Sequence, residues 1–402
     1  MIVISLDGFP AYALADPYLP VPNLRQLISR GSMARRMITV NPTVTWPNHT
    51  SMITGVKPAR HSVIYNGMFL RDGEHGAGKV EPWRGKSEMV TAPTVYDLAY
   101  QAGLTTAQMD WVAVYRAQTI TWSAPEVLDV NGKVEQEMIA AGLISRDDVE
   151  HFREKNITFR DEIWTQAAIH ILLKHHPNLM LFHLLNTDSV HHTYGPKSLA
   201  SASALALADA RVGELVRAVE SAGMSNRTTF LIVSDHGFKV FSHLIHPEVL
   251  LHGDAQVMPE GGTALIYLKG SKSAGQIRAK LENVEGIDRI LAPQDFAAFG
   301  YPDPTKNHQM ADLVIAAKDG YSFAAGDQGE VVTPVGPTHP GAHGYLNTDP
   351  EMNAIFIAAG AGIRPHVVLD EIRNLDVAPT IARLLGLEMK NIEGKPLVAI
   401  LQ

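Results

Sequence analysis

Three aspartates, Asp7, Asp188 and Asp235, each follow a short run of apolar residues, at positions 2–5, 179–184 and 229–233. In open α/β sheets ligands bind just beyond the carboxyl ends of the strands, so acids in three equivalent places form a candidate site. Two of them have histidines at short range: His192 lies four residues after Asp188, and His236 is adjacent to Asp235. Imidazole nitrogen and carboxylate oxygen suit zinc or a similar divalent ion, and sites built this way can keep a position open for substrate. One such aspartate alone is an ordinary turn former or helix cap. With 18 histidines in the chain, chance pairs are expected, so the argument rests on the three acids together.

The segment 41–54 reads NPTVTWPNHTSMIT, with Pro47 placed for the first turn of a helix running toward Gly55. Thr45 then sits at the helix N-terminus, where backbone N–H groups and the positive end of the dipole favour a bound phosphate and an ionised hydroxyl. A threonine hydroxyl is a weak nucleophile that needs a base or a metal to react. The competing reading of Thr45 is a helix cap.

The elements that must position these residues belong to the α/β class. Short, nearly charge-free runs at 2–5, 179–184, 229–233 and 354–358 alternate with helical patterns, as in a mostly parallel sheet covered on both faces. The spacing predicts a helix over 200–222 with Leu205, Ala208, Val212, Leu215, Val216 and Val219 on one stripe and Asp209 outside it. A shorter helix is expected over 22–30, and Thr94 with Asp97 reads as a capping box. Residues 67–86, rich in Gly and charge, are expected to form a surface loop. From about 246 to 339 the pattern changes to small αβ units, read as an inserted subdomain between 1–245 and 340–402.

Five motifs in order carry a family resemblance: LDG at 6–8, TVTWPNHTSMITG at 43–55, DSVHHTYGP at 188–196, SDHGF at 234–238 and HGY at 343–345. Together with NLDVAPTIARLLGL near the C-terminus, this order resembles the nucleotide pyrophosphatase/phosphodiesterases of the alkaline phosphatase superfamily. The resemblance implies a three-layer α/β/α sandwich with a mostly parallel central sheet and a small inserted αβ subdomain. It implies two zinc ions, one on Asp188, His192 and His343, the other on Asp7, Asp235, His236 and Thr45. It further implies that Thr45 attacks phosphorus and is transiently phosphorylated. Asn66 matches the residue that hydrogen-bonds a phosphoryl oxygen, aided by the amides beyond Thr45; its plain reading is a turn residue before Gly67. His49, His61 and His191 do not match ligand positions. Trp46, Met68, Phe69 and Tyr194 flank the motifs and are expected to wall an apolar slot for a nucleoside or other leaving group, or simply to pack.

The composition, 46% apolar and 19% charged, is that of a globular enzyme rather than a disordered chain. A net charge of -8 argues against a stable nucleic-acid complex, which needs a dense Lys and Arg surface, and leaves a small phosphodiester or nucleotide as the expected partner. The absence of cysteine removes disulfides, thiolate nucleophiles and formylglycine-type sulfatase chemistry. No run reaches about 18 apolar residues, so no membrane span is expected. The resemblance points to a periplasmic or secreted protein with its leader absent, and a native start at Met1 points to the cytoplasm. Oligomeric state is not encoded in these features. Two other functions fit the same residues: phosphonoacetate hydrolysis, which needs a cation such as Lys86, Lys239 or Arg116 for the substrate carboxylate, and metal and phosphate binding without turnover.

Overall fold

Ile2–Leu6 is buried at every position because it runs through the middle of a nine-stranded sheet. The computed structural model describes residues 1–73, 76–337 and 339–402. Across the sheet the order is Val367–Leu369, Ser32–Ile38, Ala354–Gly360, Thr229–Val233, Ile2–Leu6, Leu179–Leu184, Thr106–Met109 and Trp122–Ala124, with Ile372–Arg373 also paired to Ser32–Ile38. Side chains of a strand alternate between faces. Ile2, Ile4 and Leu6 therefore pack with helices Pro22–Ser29, Ile157–His175 and Leu199–Ser221, while Val3 packs with Thr45–Thr54, Val95–Gln101 and Val377–Leu384. These are the three layers of an alkaline phosphatase-like α/β/α sandwich.

Ile2–Leu6 pairs in parallel with both neighbours, and Thr106–Met109 continues the parallel set. Ala354–Gly360 departs from it, pairing antiparallel with Thr229–Val233 and with Ser32–Ile38. An apolar run records burial on both faces but not direction, so a buried antiparallel strand reads like a parallel one.

The stripe of helix Leu199–Ser221 is buried as expected, and so, unexpectedly, is Asp209. Its carboxylate accepts hydrogen bonds from Asn23 N at 3.1 Å and Leu24 N at 2.7 Å. It thus satisfies free amides in the first turn of helix Pro22–Ser29, a cap supplied from another helix. The capping box of Thr94 and Asp97 is formed.

A second, four-stranded antiparallel sheet orders Ala255–Pro259, Thr263–Leu268, Leu313–Ala317 and Ile287–Leu291. Helix Ala274–Leu281 covers one face, and helix Pro293–Phe299 contributes Phe296 to the other. The stretch expected to be a loop at 67–86 is instead built around a hairpin, Met68–Arg71 against Gly78–Glu81; residues 74 and 75 lie outside the described residues. Phe69 anchors this hairpin by stacking on Tyr267 at 4.1 Å, with Gly78 lying so close over its ring that a Cβ would come to 2.1 Å. Among the described residues no helix is long and apolar enough to cross a membrane.

Candidate active site

Strands Thr229–Val233, Ile2–Leu6 and Leu179–Leu184 are neighbours, and parallel strands lie about 4.8 Å apart, so acids leaving their carboxyl ends emerge side by side. Asp7 is held there by its own amide, which donates to Leu184 O at 2.9 Å. Asp188 and His192 lie one turn apart on helix Asn186–Tyr194. The N-terminus of this helix is fixed by Asp161, whose two oxygens accept from Leu185 N and Asn186 N at 3.0 and 3.1 Å. His343 enters from the other side of the chain, after the short strand Gly341–Ala342 that pairs with Lys239–Val240.

His192 Nε2 and His343 Nε2 stand 3.4 and 3.7 Å from Asp188 Oδ1. His236 Nε2 stands 3.4 Å from Asp7 Oδ1 and 3.3 Å from Asp235 Oδ2. These separations are long for hydrogen bonds. They match the edge of a tetrahedron of ligands around zinc, about 3.3–3.4 Å for bonds near 2.0–2.1 Å. Asp188 belongs to two groups of converging donors, with His192 and His343 and with Asp7 and His236, so the two halves are contiguous. All three histidines point Nδ1 at a backbone carbonyl: His192 at Gly341 O, 3.2 Å, His236 at Gly237 O, 3.0 Å, and His343 at Thr43 O, 3.1 Å. Such bonds fix the tautomer and leave the Nε2 lone pair facing inward.

The donor set fits divalent cations on its own chemistry. Among the described residues, Asp7 Oδ1, Asp188 Oδ1, Asp235 Oδ2 and His236 Nε2 are enclosed yet have no hydrogen-bond partner. Enclosed acceptors facing one another without donors are costly unless a cation lies between them. The protonation balance agrees. Burial, then the charges of Asp235 and Asp188, push Asp7 well above the usual carboxylate range. Burial also pushes Asp235 and Asp188 up, but the adjacent imidazoles outweigh it: His236 holds Asp235 low, and His192, through its charge and its contact with the carboxylate, brings Asp188 to about 2. Burial holds His343 well below its ordinary value, hence neutral and able to ligate. The two halves differ in access. Asp7, Asp235 and His236 are buried, whereas the His192 side chain is 45% exposed beside Asp188 and His343.

Thr45 begins helix Thr45–Thr54, which ends at Gly55 in the left-handed conformation. The cap position is Val44 and no side chain caps this end, so the cap reading of Thr45 fails. Thr45 O accepts a hydrogen bond from His49 Nδ1 at 2.9 Å, and the same nitrogen lies 3.6 Å from Asp235 Oδ2, which ties this turn to the buried half of the acid cluster. Trp46 N is not free to meet a phosphate, contrary to expectation: it donates to Asn66 Oδ1 at 3.0 Å. That bond engages Asn66 through its amide oxygen, so the donor of this exposed residue is Nδ2.

The expected slot is only partly assembled. Tyr194 is exposed at the end of helix Asn186–Tyr194, and Trp46 is nearly buried among Val63, Met89, Val112 and Ala113. Phe69 does not wall a slot: it is 2% exposed, and its ring is used in packing the hairpin on the second sheet. His61 and His191 are buried against Ser51 and Ser201, at 2.9 and 2.7 Å.

Neither His183 nor Asp110 is singled out by the sequence, and Phe238 is given no role of its own there. His183, buried in strand Leu179–Leu184, brings Nε2 to 3.2 Å from Asp7 Oδ2, and His49 packs on its ring with centroids 4.3 Å apart. Asp110, at the end of the next parallel strand, receives the other side of His183 through its carbonyl at 3.2 Å. Phe238 presents its ring to His192, His236 and His343, and Gly8 lies so close to it that a Cβ would approach to 2.8 Å. The readable signal was one polar residue, His183, in the run LMLFHL.

Comparison with known proteins identifies the family and the fold. The family model described as type I phosphodiesterase / nucleotide pyrophosphatase matches residues 1–346. A venom phosphodiesterase of Macrovipera lebetinus is 25% identical over 96% of this chain and 43% of its own length. Ectonucleotide pyrophosphatase/phosphodiesterase family member 3 of Rattus norvegicus is 24% identical over 96% and 42%. The chain thus spans about two fifths of these relatives. The solved murine ectonucleotide pyrophosphatase/phosphodiesterase 5 superposes with a TM-score of 0.81 at 19% identity, each chain covered in full. An inactive threonine-to-alanine form of that mouse protein has been solved with AMP. A match over most of the chain, on the frame that carries these acids and histidines, means that the protein belongs to the type I phosphodiesterase / nucleotide pyrophosphatase family.

Proposed function

We propose that this protein hydrolyses phosphodiester or pyrophosphate bonds of nucleotide-type substrates through a phosphothreonine at Thr45. The observation that carries this reading is the set of enclosed, unpartnered oxygens and nitrogen at three adjacent strand ends, tied through His49 to the helix turn that begins with Thr45. The family description supports the bond type. Asp188, His192 and His343 would hold one divalent cation and Asp7, Asp235 and His236 the other, zinc being the expected ion for this donor set. When bound, the cations supply Lewis-acid charge to the attacking and departing oxygens.

The chain's own residues do the rest. Thr45 Oγ1 forms a bond to phosphorus as the bond to the leaving oxygen breaks, and water then displaces Thr45 and restores its hydroxyl. Asn66 Nδ2 donates to a non-bridging oxygen as charge builds there. The half around His192 is open to solvent, as departure of the leaving group and entry of water require. Phosphonoacetate hydrolysis is less well supported, because two of its candidate cations are engaged: Lys239 pairs with Asp349 and Asp319 at 2.7 and 2.8 Å, and Lys86 pairs with Asp97.

The test is turnover of the zinc-loaded chain on bis-p-nitrophenyl phosphate, p-nitrophenyl phosphate, dinucleotides and phosphonoacetate. The diester is expected to be preferred over the monoester by at least about tenfold in kcat/KM. Thr45→Ala is expected to keep both metals and lose nearly all turnover. Metal uptake with no turnover on any substrate would favour the binding protein instead.

A further inference from the structure

Far from the strand ends that carry Asp7 and Asp188, three side chains from two helices bring donor atoms to one point. Glu137 projects from helix Lys133–Ala140, and His170 and His175 from the last two turns of Ile157–His175. His175 Nε2 lies 2.7 Å and His170 Nε2 3.2 Å from the same oxygen, Glu137 Oε2. We propose that these three residues form a peripheral divalent-metal site, zinc being the ion of choice, with a fourth position open to water.

Three features support the assignment. The side chains are largely enclosed, with exposures of 18%, 11% and 12% for Glu137, His170 and His175, so the donors are pre-positioned. The His175 ring is locked by stacking flat on Trp122, with centroids 3.5 Å apart and an interplanar angle of 13°. Glu137 Oε2 also receives Lys174 Nζ at 3.2 Å, so three nitrogens crowd an oxygen that has two lone pairs. Lys174 is half exposed and free to leave; the imidazoles are not.

Replacing the ammonium by a cation converts both Nε2 atoms from competing donors to ligands, and opening the ligand separations to about 3.3 Å suffices for zinc. Two imidazoles and one carboxylate are a donor set that zinc accepts with water in the fourth place. The negative end of helix Ile157–His175 adds to the attraction for a cation. Asp161, which caps the active-site helix, lies on the same helix about 14–21 Å along its axis from His170 and His175. The peripheral site is therefore separable from turnover.

Zinc-edge anomalous diffraction and native mass spectrometry of the full chain, equilibrated with micromolar free zinc, test the proposal. The expected result is an anomalous peak between Glu137, His170 and His175. One zinc equivalent should be lost in Glu137→Gln, in His170→Gln and in His175→Gln, with diester turnover unchanged. No peak at this position, or an equivalent that survives all three substitutions, would overturn it. Should a variant fail to fold, the wild-type diffraction decides alone.

Discussion

His183 stands behind Asp7: its Nε2 lies 3.2 Å from Asp7 Oδ2, while the other oxygen of Asp7 faces His236. The opposite ring nitrogen meets Asp110 O at 3.2 Å, so the imidazole is wedged between the ends of two strands. Its Nδ1 bond to Asp110 O leaves Nε2 without a proton to give Asp7, so His183 supports the carboxylate by contact rather than by a hydrogen bond. Losing an outer support typically costs 10–100-fold in metal affinity, and His183→Ala is expected to raise the zinc dissociation constant by about tenfold, the low end of that range. Chelator competition measures it, and His183→Gln should recover part of the loss. Unchanged affinity in the alanine variant would reduce His183 to a space filler.

Asn66 joins an observed contact to the proposed one with substrate, and substitution can separate the two. Its Oδ1 accepts from Trp46 N, which Asp in its place would preserve, while only the amide offers a donor to substrate. Asn66→Asp and Asn66→Ala are both expected to lower kcat by about 100–1,000-fold, the usual cost of one transition-state donor. If the aspartate variant kept full activity under steady-state assay, no donor at this position would be needed.

Gly8 has φ +63° and sits against Phe238, the ring shared by three expected ligands. Its amide also donates to Asp235 Oδ1 at 3.0 Å. Gly8→Ala must accept a strained backbone and displace the ring, at a cost of about 1–3 kcal/mol from the backbone alone. Urea unfolding of the zinc-free chain reads this loss, and a midpoint equal to wild type would refute it.

Asp161 gives a pH dependence with a definite sign. Burial pushes its carboxyl up to about 7, only partly offset by the amides of Leu185 and Asn186. Its folded value is raised above the unfolded one of about 3.9, so the stability it contributes is complete below that pH and is lost as pH rises to about 7. The advantage of wild type over Asp161→Asn is expected to be larger at about pH 5 than at about pH 8, measured by urea midpoints. Equal advantages at the two pH values would show that the carboxyl is ionised throughout.

Strand–acid spacing, the four-residue interval from Asp188 to His192, and Pro47 near the start of a helix were all legible in the chain, because each is a local pattern that the backbone converts directly into position. Motif order extended this to His343, which no local pattern links to Asp188. What only the tertiary structure decided depends on neighbours distant in sequence. The direction of Ala354–Gly360, the buried Asp209 capping another helix, the engagement of Trp46 N by Asn66 and the burial of Phe69 under Tyr267 all belong to this class. Residue type and periodicity report whether a side chain meets water. They do not report which partner meets it instead, and His183, one polar residue in an apolar strand, acquires its meaning only when Asp7 lies 3.2 Å away.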